Sequence, residues 1–351
     1  MDALRQEFTP RGTFLDTASH GLLPRRSVTA VRRGAALMAE GTLDQQACLR
    51  AVDGVRADYA ALVGVTADRV AVGSSVAVHV ALVAASLPAG AEVLLAAEEF
   101  SSLPTPFDQR GGLRLRQVPL DGLVDAVRPG TDLVAVSAAQ SADGRVVDLG
   151  ALLSAAREHG ARTLLDTTQA AGWLPLGADR FDYTVCGGYK WLLTPRGVSF
   201  LSVPPGFGGL RPLHAGWVAG AEPWQSCYGP VAELAPDARR FDQSPAYLPY
   251  LGAAPSLRLL AEAGPARVGA HARALAARFR EGLAGLGCEV PDAGGPIVSF
   301  PEPEGAVEAL HRAGVRVARR RGALRAAFHL YNDEADVDRA IAALETTAAG
   351  R

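Results

Sequence analysis

Cys186-Gly187-Gly188-Tyr189-Lys190-Trp191-Leu192 decides how the chain is read, because Lys190 is the only lysine in 351 residues. Lysine and arginine together number 35, so arginine supplies every other basic side chain. Solubility and ion pairing accept either residue. Imine chemistry does not: a guanidinium stays protonated, whereas a lysine amine can lose its proton and condense with a carbonyl. A lone lysine set between Gly187-Gly188 and Trp191, with Tyr189 beside it, is a candidate imine-forming residue. A leftover surface cation is the plain alternative.

Bulk features narrow the class. A length of 351 residues exceeds one ordinary domain, and a hydrophobic content of 48% is ample for a buried core. A formal net charge of −2 argues against a nucleic-acid partner or an anionic membrane surface held by bulk charge. The four cysteines, Cys48, Cys186, Cys227 and Cys288, show no CxxC or Cys/His metal spacing and read as reduced thiols. None of the seven histidines pairs with another at i, i+4, so no metal is expected. The first residues lack an apolar signal core, and no stretch is long enough to span a membrane. The expectation is a cytoplasmic protein. A Walker loop and a Gly-x-Ser-x-Gly elbow are both missing, which weighs against nucleotide-binding and serine-hydrolase readings.

Residues 26–63 read as amphipathic helix. From residue 65 short β-rich runs alternate with helical ones: Val70-Ala71-Val72, Val93-Leu94-Leu95, Leu133-Val134-Ala135-Val136 and Thr163-Leu164-Leu165. Such alternation predicts an α/β fold with a large, mostly parallel sheet covered on both faces, whose ligand sits beyond the carboxyl ends of the strands. After Val198–Val203 the pattern gives way to a Pro-, Trp- and Tyr-rich stretch over 212–250. A long helix is expected over 252–286, then strands near 296–300, 315–318 and 323–328 and a final helix at 334–347. The expected division is an N-terminal segment 1–25 reaching the active-site loop, a large domain 26–248 and a small C-terminal α/β domain 249–351.

Four strand ends converge on Lys190. Gly73-Ser74-Ser75 follows a strand and opens a helix, as either a phosphate cradle or a simple N-cap. Asp166 ends the strand Thr163-Leu164-Leu165, where its carboxylate could pair with a protonated pyridine nitrogen or cap a helix. Phe100 follows another strand and offers a flat face to a flat cofactor, or is a core residue. Cradle, pyridine partner, stacking ring and imine lysine together describe a site for pyridoxal 5'-phosphate (PLP).

On these residues the sequence resembles the class V aminotransferase and cysteine desulfurase branch of fold-type I PLP enzymes. The markers are Thr17-Ala18-Ser19-His20-Gly21, Gly73-Ser74-Ser75, Asp166-Thr167-Thr168-Gln169, Gly188-Tyr189-Lys190-Trp191-Leu192 with Pro195-Arg196-Gly197, Arg240-Phe241-Asp242 before Ser244-Pro245, and Leu324-Arg325 before Tyr331-Asn332. The resemblance implies that Lys190 forms the aldimine and shuttles the α-proton to and from a quinonoid. It implies that Asp166 holds the pyridinium, that Gln169 bonds the ring oxygen, and that Ser74 and Ser75 bind phosphate. Ser141, or Gln140 beside it, would contact the cofactor. Arg325 would grip the substrate α-carboxylate, with His20 in the N-terminal substrate loop and Trp217 lining the same cavity from the partner subunit. Ser244-Pro245 resembles a step that serves the neighbouring subunit's phosphate, which implies a homodimer with shared sites.

Departures qualify the chemistry. Gly187 and Tyr189 stand where many members carry Ser and His, so phosphate binding would lean on the Tyr189 hydroxyl. Phe100 stands where desulfurases often have a proton-moving His, and His79 where Asn is common. No cysteine precedes Arg325 within 315–324 to accept sulfur, which argues against persulfide-forming desulfuration. The expected function is that of a PLP-dependent enzyme on an α-amino acid, with C–S lyase β-elimination in a small-molecule pathway ahead of transamination. An epimerase-like enzyme and a PLP-binding homologue without turnover remain further alternatives.

Overall fold

The computed structural model describes residues 1–348. In chain order its strands begin with β1 (Thr13–Phe14), then β2 (Val70–Gly73), β3 (Glu92–Ala96), β4 (Arg114–Val118), β5 (Leu133–Ser137), β6 (Arg162–Asp166), β7 (Tyr183–Gly187) and β8 (Ser199–Ser202). The C-terminal part adds β9 (Ile297–Pro301), β10 (Val315–Arg316), β11 (Ala318–Arg320) and β12 (Ala323–Ala327). β2 to β8 form one seven-stranded sheet in the order β2-β8-β7-β6-β5-β3-β4. Only β8 runs against the others, pairing antiparallel with both β2 and β7. This is the mostly parallel α/β fold that the strand–helix alternation predicts.

Continuous apolar runs explain why these strands need both faces covered: the inner strands β3, β5, β7 and β8, and the edge strand β2, are buried at every position. Each fully buried Val or Leu contributes about 1.5–3 kcal/mol, which holds these strands between the covering layers. β4 is different. Its Arg-Leu-Arg-Gln-Val sequence gives a partly exposed edge strand, and Arg116 reaches back to Glu92 on β3 at 3.0 Å. That polarity is why hydrophobic pattern alone passes over it.

Two expected single helices are each broken in two. The stretch 26–63 divides into Arg25–Ala39 and Gln45–Val63, separated around Gly41 at φ 70°, with Asp44 accepting from the Gln46 amide at the new N-terminus. The stretch 252–286 divides into Tyr247–Ala263 and Pro265–Gly285, hinged at Gly264, whose φ of 79° suits glycine before a proline-led helix. The helix Tyr247–Ala263 packs across both earlier ones. At Gly252 an added Cβ would lie 2.6 Å from Val31 Cγ2 and 2.8 Å from Pro195 Cγ, so this helix presses on the loop that follows Lys190.

Two connections tie distant segments together. β1 pairs parallel with β10, and Asp16 bridges Ala327, so the N-terminal segment runs alongside the C-terminal strands before it reaches the large sheet. Asp242 accepts from Arg56 Nη2 at 2.6 Å and from the Val72 amide at 2.8 Å, with both side chains buried. The Asp of the Arg240-Phe241-Asp242 marker is therefore an internal brace for β2. Breaking a buried pair strands one charge in low dielectric. Arg56→Met is expected to lower stability by about 3–5 kcal/mol in urea unfolding, and Arg56→Met with Asp242→Leu to recover most of it.

Candidate active site

Lys190 follows β7 in a tight loop and is only 5% exposed. The loop is held from three sides. The Gly21 amide donates to Tyr189 O at 2.9 Å, and a Cβ on Gly21 would collide with Lys190 O, so only glycine lets the N-terminal loop lie there. Leu193 adopts φ 56°, a strained left-handed conformation for a leucine. The Ser256 hydroxyl, from the helix that presses on Pro195, donates to Leu193 O at 2.6 Å and holds that conformation.

The Lys190 amine points into a cavity of about 340 Å³, within the range of small-molecule sites. Ser74, Ser75, Phe100, Ser141, Asp166 and Gln169 all line it, as does Tyr189. Phe100 is 48% exposed, which disposes of the core alternative, and its ring centroid lies 5.1 Å from Lys190 Nζ. Tyr189 presents its ring at 5.7 Å from the same atom. Burial drives the Lys190 pKa down to about 8; Asp166 opposes this, while Arg325, Arg196 and Arg320 add to it. A lysine poised near neutrality is a competent base and nucleophile.

Asp166 ends β6 and accepts from the Thr168 amide at 2.8 Å. It therefore closes a turn and caps no helix. Burial raises its pKa, against the Thr168 hydrogen bonds and the Lys190 charge. Ser75 starts the helix Val76–Ser86 without a side-chain cap, leaving the first-turn N–H groups for an anion. Gln169 is oriented by Trp191, whose indole N–H donates to Oε1 at 2.7 Å; its own Nε2 donates to Ala18 O at 2.9 Å and Ser141 Oγ at 3.1 Å. Both amide hydrogens are thus engaged within the protein, and a contact with a ring oxygen displaces one of them.

Arg325 on β12 is 1% exposed. It donates through Nη1 to Ser141 O and through Nη2 to Ser19 Oγ at 2.9 Å, with Asp16 at 3.6 Å. Its Nε has no hydrogen-bond partner, and burial lowers its pKa to about 10. A buried guanidinium with an unsatisfied donor is set to receive a carboxylate. His20 lies nearby, its ring 5.1 Å from Phe14, with its pKa lowered first by burial.

Neither Arg325 nor His20 is among the residues lining the Lys190 cavity, and other expected residues lie off it too. Gln140 is buried and turns to Glu99, donating to Oε1 at 2.8 Å, whereas Ser141 faces the cavity. Ser244 is exposed, and the Trp217 ring packs tilted against Trp224, with centroids 4.9 Å apart. Sequence reasoning missed Gln243, which accepts from Ser74 Oγ at 2.9 Å, and Glu99, which holds the Ser137 amide at 2.9 Å. Both lie next to residues singled out in the sequence, but neither type has a spacing that announces it. Among the described residues no group of His, Cys, Asp and Glu could hold a metal ion, and no helix is long and apolar enough to cross a membrane.

An amine with lowered pKa, a buried carboxylate, an uncapped helix start with two hydroxyls and an exposed aromatic ring face form the donor set that PLP needs. Lys190 would hold its aldehyde carbon, Asp166 its ring nitrogen, and Ser74 and Ser75 its phosphate. That donor set fits a PLP-dependent α/β enzyme. Comparison with known proteins agrees. Residues 32–340 match the family model described as Aminotransferase class-V. Isopenicillin N epimerase of Streptomyces clavuligerus is 30% identical over 97% of this chain and 96% of its own length. The solved cysteine desulfurase of Thermococcus onnurineus NA1 superposes with a TM-score of 0.87 at 20% identity, covering 100% of this chain and 98% of that one. The cystine C–S lyase C-DES, solved with its product cysteine persulfide, gives 0.84 at 23% identity, covering 95% and 97%. The chain belongs to the class V aminotransferase family of fold-type I PLP-dependent enzymes.

The single lysine makes the electrostatics measurable. In cofactor-free protein carrying ¹³C-labelled lysine, one side-chain resonance should titrate near pH 8. Asp166→Asn removes the attraction that raises this pKa and should move the midpoint lower. Arg325→Gln removes a repulsion and should move it higher.

Proposed function

We propose that the enzyme acts on an α-amino acid by taking its α-proton onto Lys190 and releasing a sulfur substituent from the β-carbon, a C–S lyase reaction. The observation that carries this reading is the buried Lys190 amine with its pKa at about 8, in one cavity with Asp166 and the Ser74-Ser75 helix start. Bound PLP supplies the electron sink that makes the Cα–H bond acidic. Asp166 would sit against the ring nitrogen and keep that sink protonated. Arg325 orients the substrate through its α-carboxylate, with Ser19 and Ser141 holding the guanidinium in place. Lys190 Nζ takes the α-proton, the Cβ–S electron pair departs with sulfur, and water completes the release of a thiol, pyruvate and ammonia.

Two features favour elimination over the family's other outcomes. Phe100 would cover one face of the ring, and it carries no proton to deliver. No cysteine stands on the β11–β12 hairpin before Arg325, and Cys288 lines a separate cavity beside Leu283 and Phe300. Sulfur therefore leaves as a small molecule and is not captured by the protein. Epimerisation at Cα is the second reading, favoured by the full-length likeness to isopenicillin N epimerase. The exposed Ser244, off its own chain's cavity, supports a homodimer in which it completes the partner's phosphate site. The four free thiols support a cytoplasmic setting.

Reconstituted enzyme with S-substituted L-cysteines should give pyruvate and thiol in equal amounts, and Lys190→Ala should lose the visible absorbance band and at least about 10²-fold in rate. Cys288→Ser and Cys227→Ser should leave turnover unchanged. Recovered substrate of inverted configuration, without pyruvate, would replace elimination by epimerisation. Failure of PLP to generate any band would remove the enzyme reading altogether.

A further inference from the structure

Three guanidinium groups act on the Lys190 amine: Arg325, Arg196 and Arg320. One α-carboxylate is satisfied by one planar fork. The neighbouring arginines on the hairpin are matched, Arg319 to Glu302 at 2.6 Å and Arg321 to Glu98 at 2.5 Å. Arg320 spends its donors on Ser19 Oγ and Arg319 O. Arg196 is the exception. Among the described residues it has neither a carboxylate nor a hydrogen-bond partner, yet it lines the same cavity as Lys190.

Its placement is fixed in advance. The guanidinium carbon lies 4.0 Å from the centroid of the Tyr189 ring, a cation–π contact that takes up none of its five N–H donors in a hydrogen bond. The Pro195-Arg196-Gly197 turn behind it is rigid: Pro195 packs against Gly252, and Gly197 sits at φ 95° against Pro249. Arg196 also lowers the His20 pKa, after burial and Arg316, which places it beside the N-terminal loop as well as beside Lys190. An unmatched, pre-oriented cation in a substrate cavity costs little to engage an anion and gains a charge-assisted fork.

We propose that Arg196 receives a second carboxylate, carried on the substrate's side chain, so that the preferred substrates are amino acids with an acidic side-chain terminus. This rests on the PLP reading above. Arg325 takes the α-carboxylate and Ser74, Ser75 and the helix start take the cofactor phosphate, which leaves Arg196 for the remaining anionic group.

The test compares S-carboxymethyl-L-cysteine with its neutral isostere S-carbamoylmethyl-L-cysteine. Two quantities are read: the dissociation constant, from the absorbance change of the reconstituted enzyme, and kcat/KM. The acid should be favoured by at least about tenfold in both. Arg196→Gln should bring the ratio close to one without changing PLP affinity, and Arg196→Lys, which keeps the charge and loses the fork, should retain part of the preference. Equal handling of the two compounds by the unaltered enzyme overturns the proposal, as does a preference that survives Arg196→Gln. Loss of PLP affinity in Arg196→Gln, with the preference intact, would assign the residue to the cofactor phosphate instead. The binding measurement holds whichever reaction follows. Absence of any cofactor band sinks the underlying enzyme reading, whereas a normal band with no acid preference sinks this inference alone.

Discussion

The structure depends on keeping one amine dry beside one carboxylate. Burial alone would drive Lys190 neutral and Asp166 protonated, because each charged form loses its water. Their mutual attraction pulls both back toward the ionised state, and Arg325, Arg196 and Arg320 push Lys190 the other way. The amine settles near pH 8, between an inert ammonium and an amine too weakly basic to hold a proton. Opening the pocket to water would return the lysine to its ordinary range, so the rings and glycines around the loop serve the chemistry as much as the packing.

That dryness is assembled from parts far apart in the chain. β1 runs beside β10, and this brings Ser19 to Arg325 and Gly21 to Tyr189. Trp191 is stacked on His329 at 5.4 Å, His329 on Tyr331 at 5.3 Å, and Tyr331 shares a hydrogen bond with Thr17. Through this ladder the N-terminal loop, the C-terminal strands and the lysine loop form one wall, and its first member sets the direction of the Gln169 amide. A substrate carboxylate at Arg325 and a cofactor beside Gln169 would rest on the same support.

Much of this was legible in the sequence because each strand ends where its chemistry begins. Gly73-Ser74-Ser75, Phe100, Asp166 and Lys190 follow β2, β3, β6 and β7, and parallel strands put their carboxyl ends on one side. The edge strand β4 was not legible, since its arginines answer to Glu92 and solvent and break the apolar pattern. Gln243, Glu99 and Asp16 were equally silent. Each acts through a partner many tens of positions away, and a single polar residue carries no periodic signal for such a contact. Helix lengths were overstated at 41 and 264 for a related reason: glycine in an otherwise helical pattern is read as a weakness until a positive φ makes it a break.

Restriction of the ε-amine to one buried position also makes the polypeptide its own reporter. A protease that cuts only after lysine finds a single scissile bond, between Lys190 and Trp191, and both residues are enclosed. The native chain presents nothing to such an enzyme until the pocket comes apart, and then yields two fragments of similar size. The rate at which those fragments accumulate measures how often this wall opens.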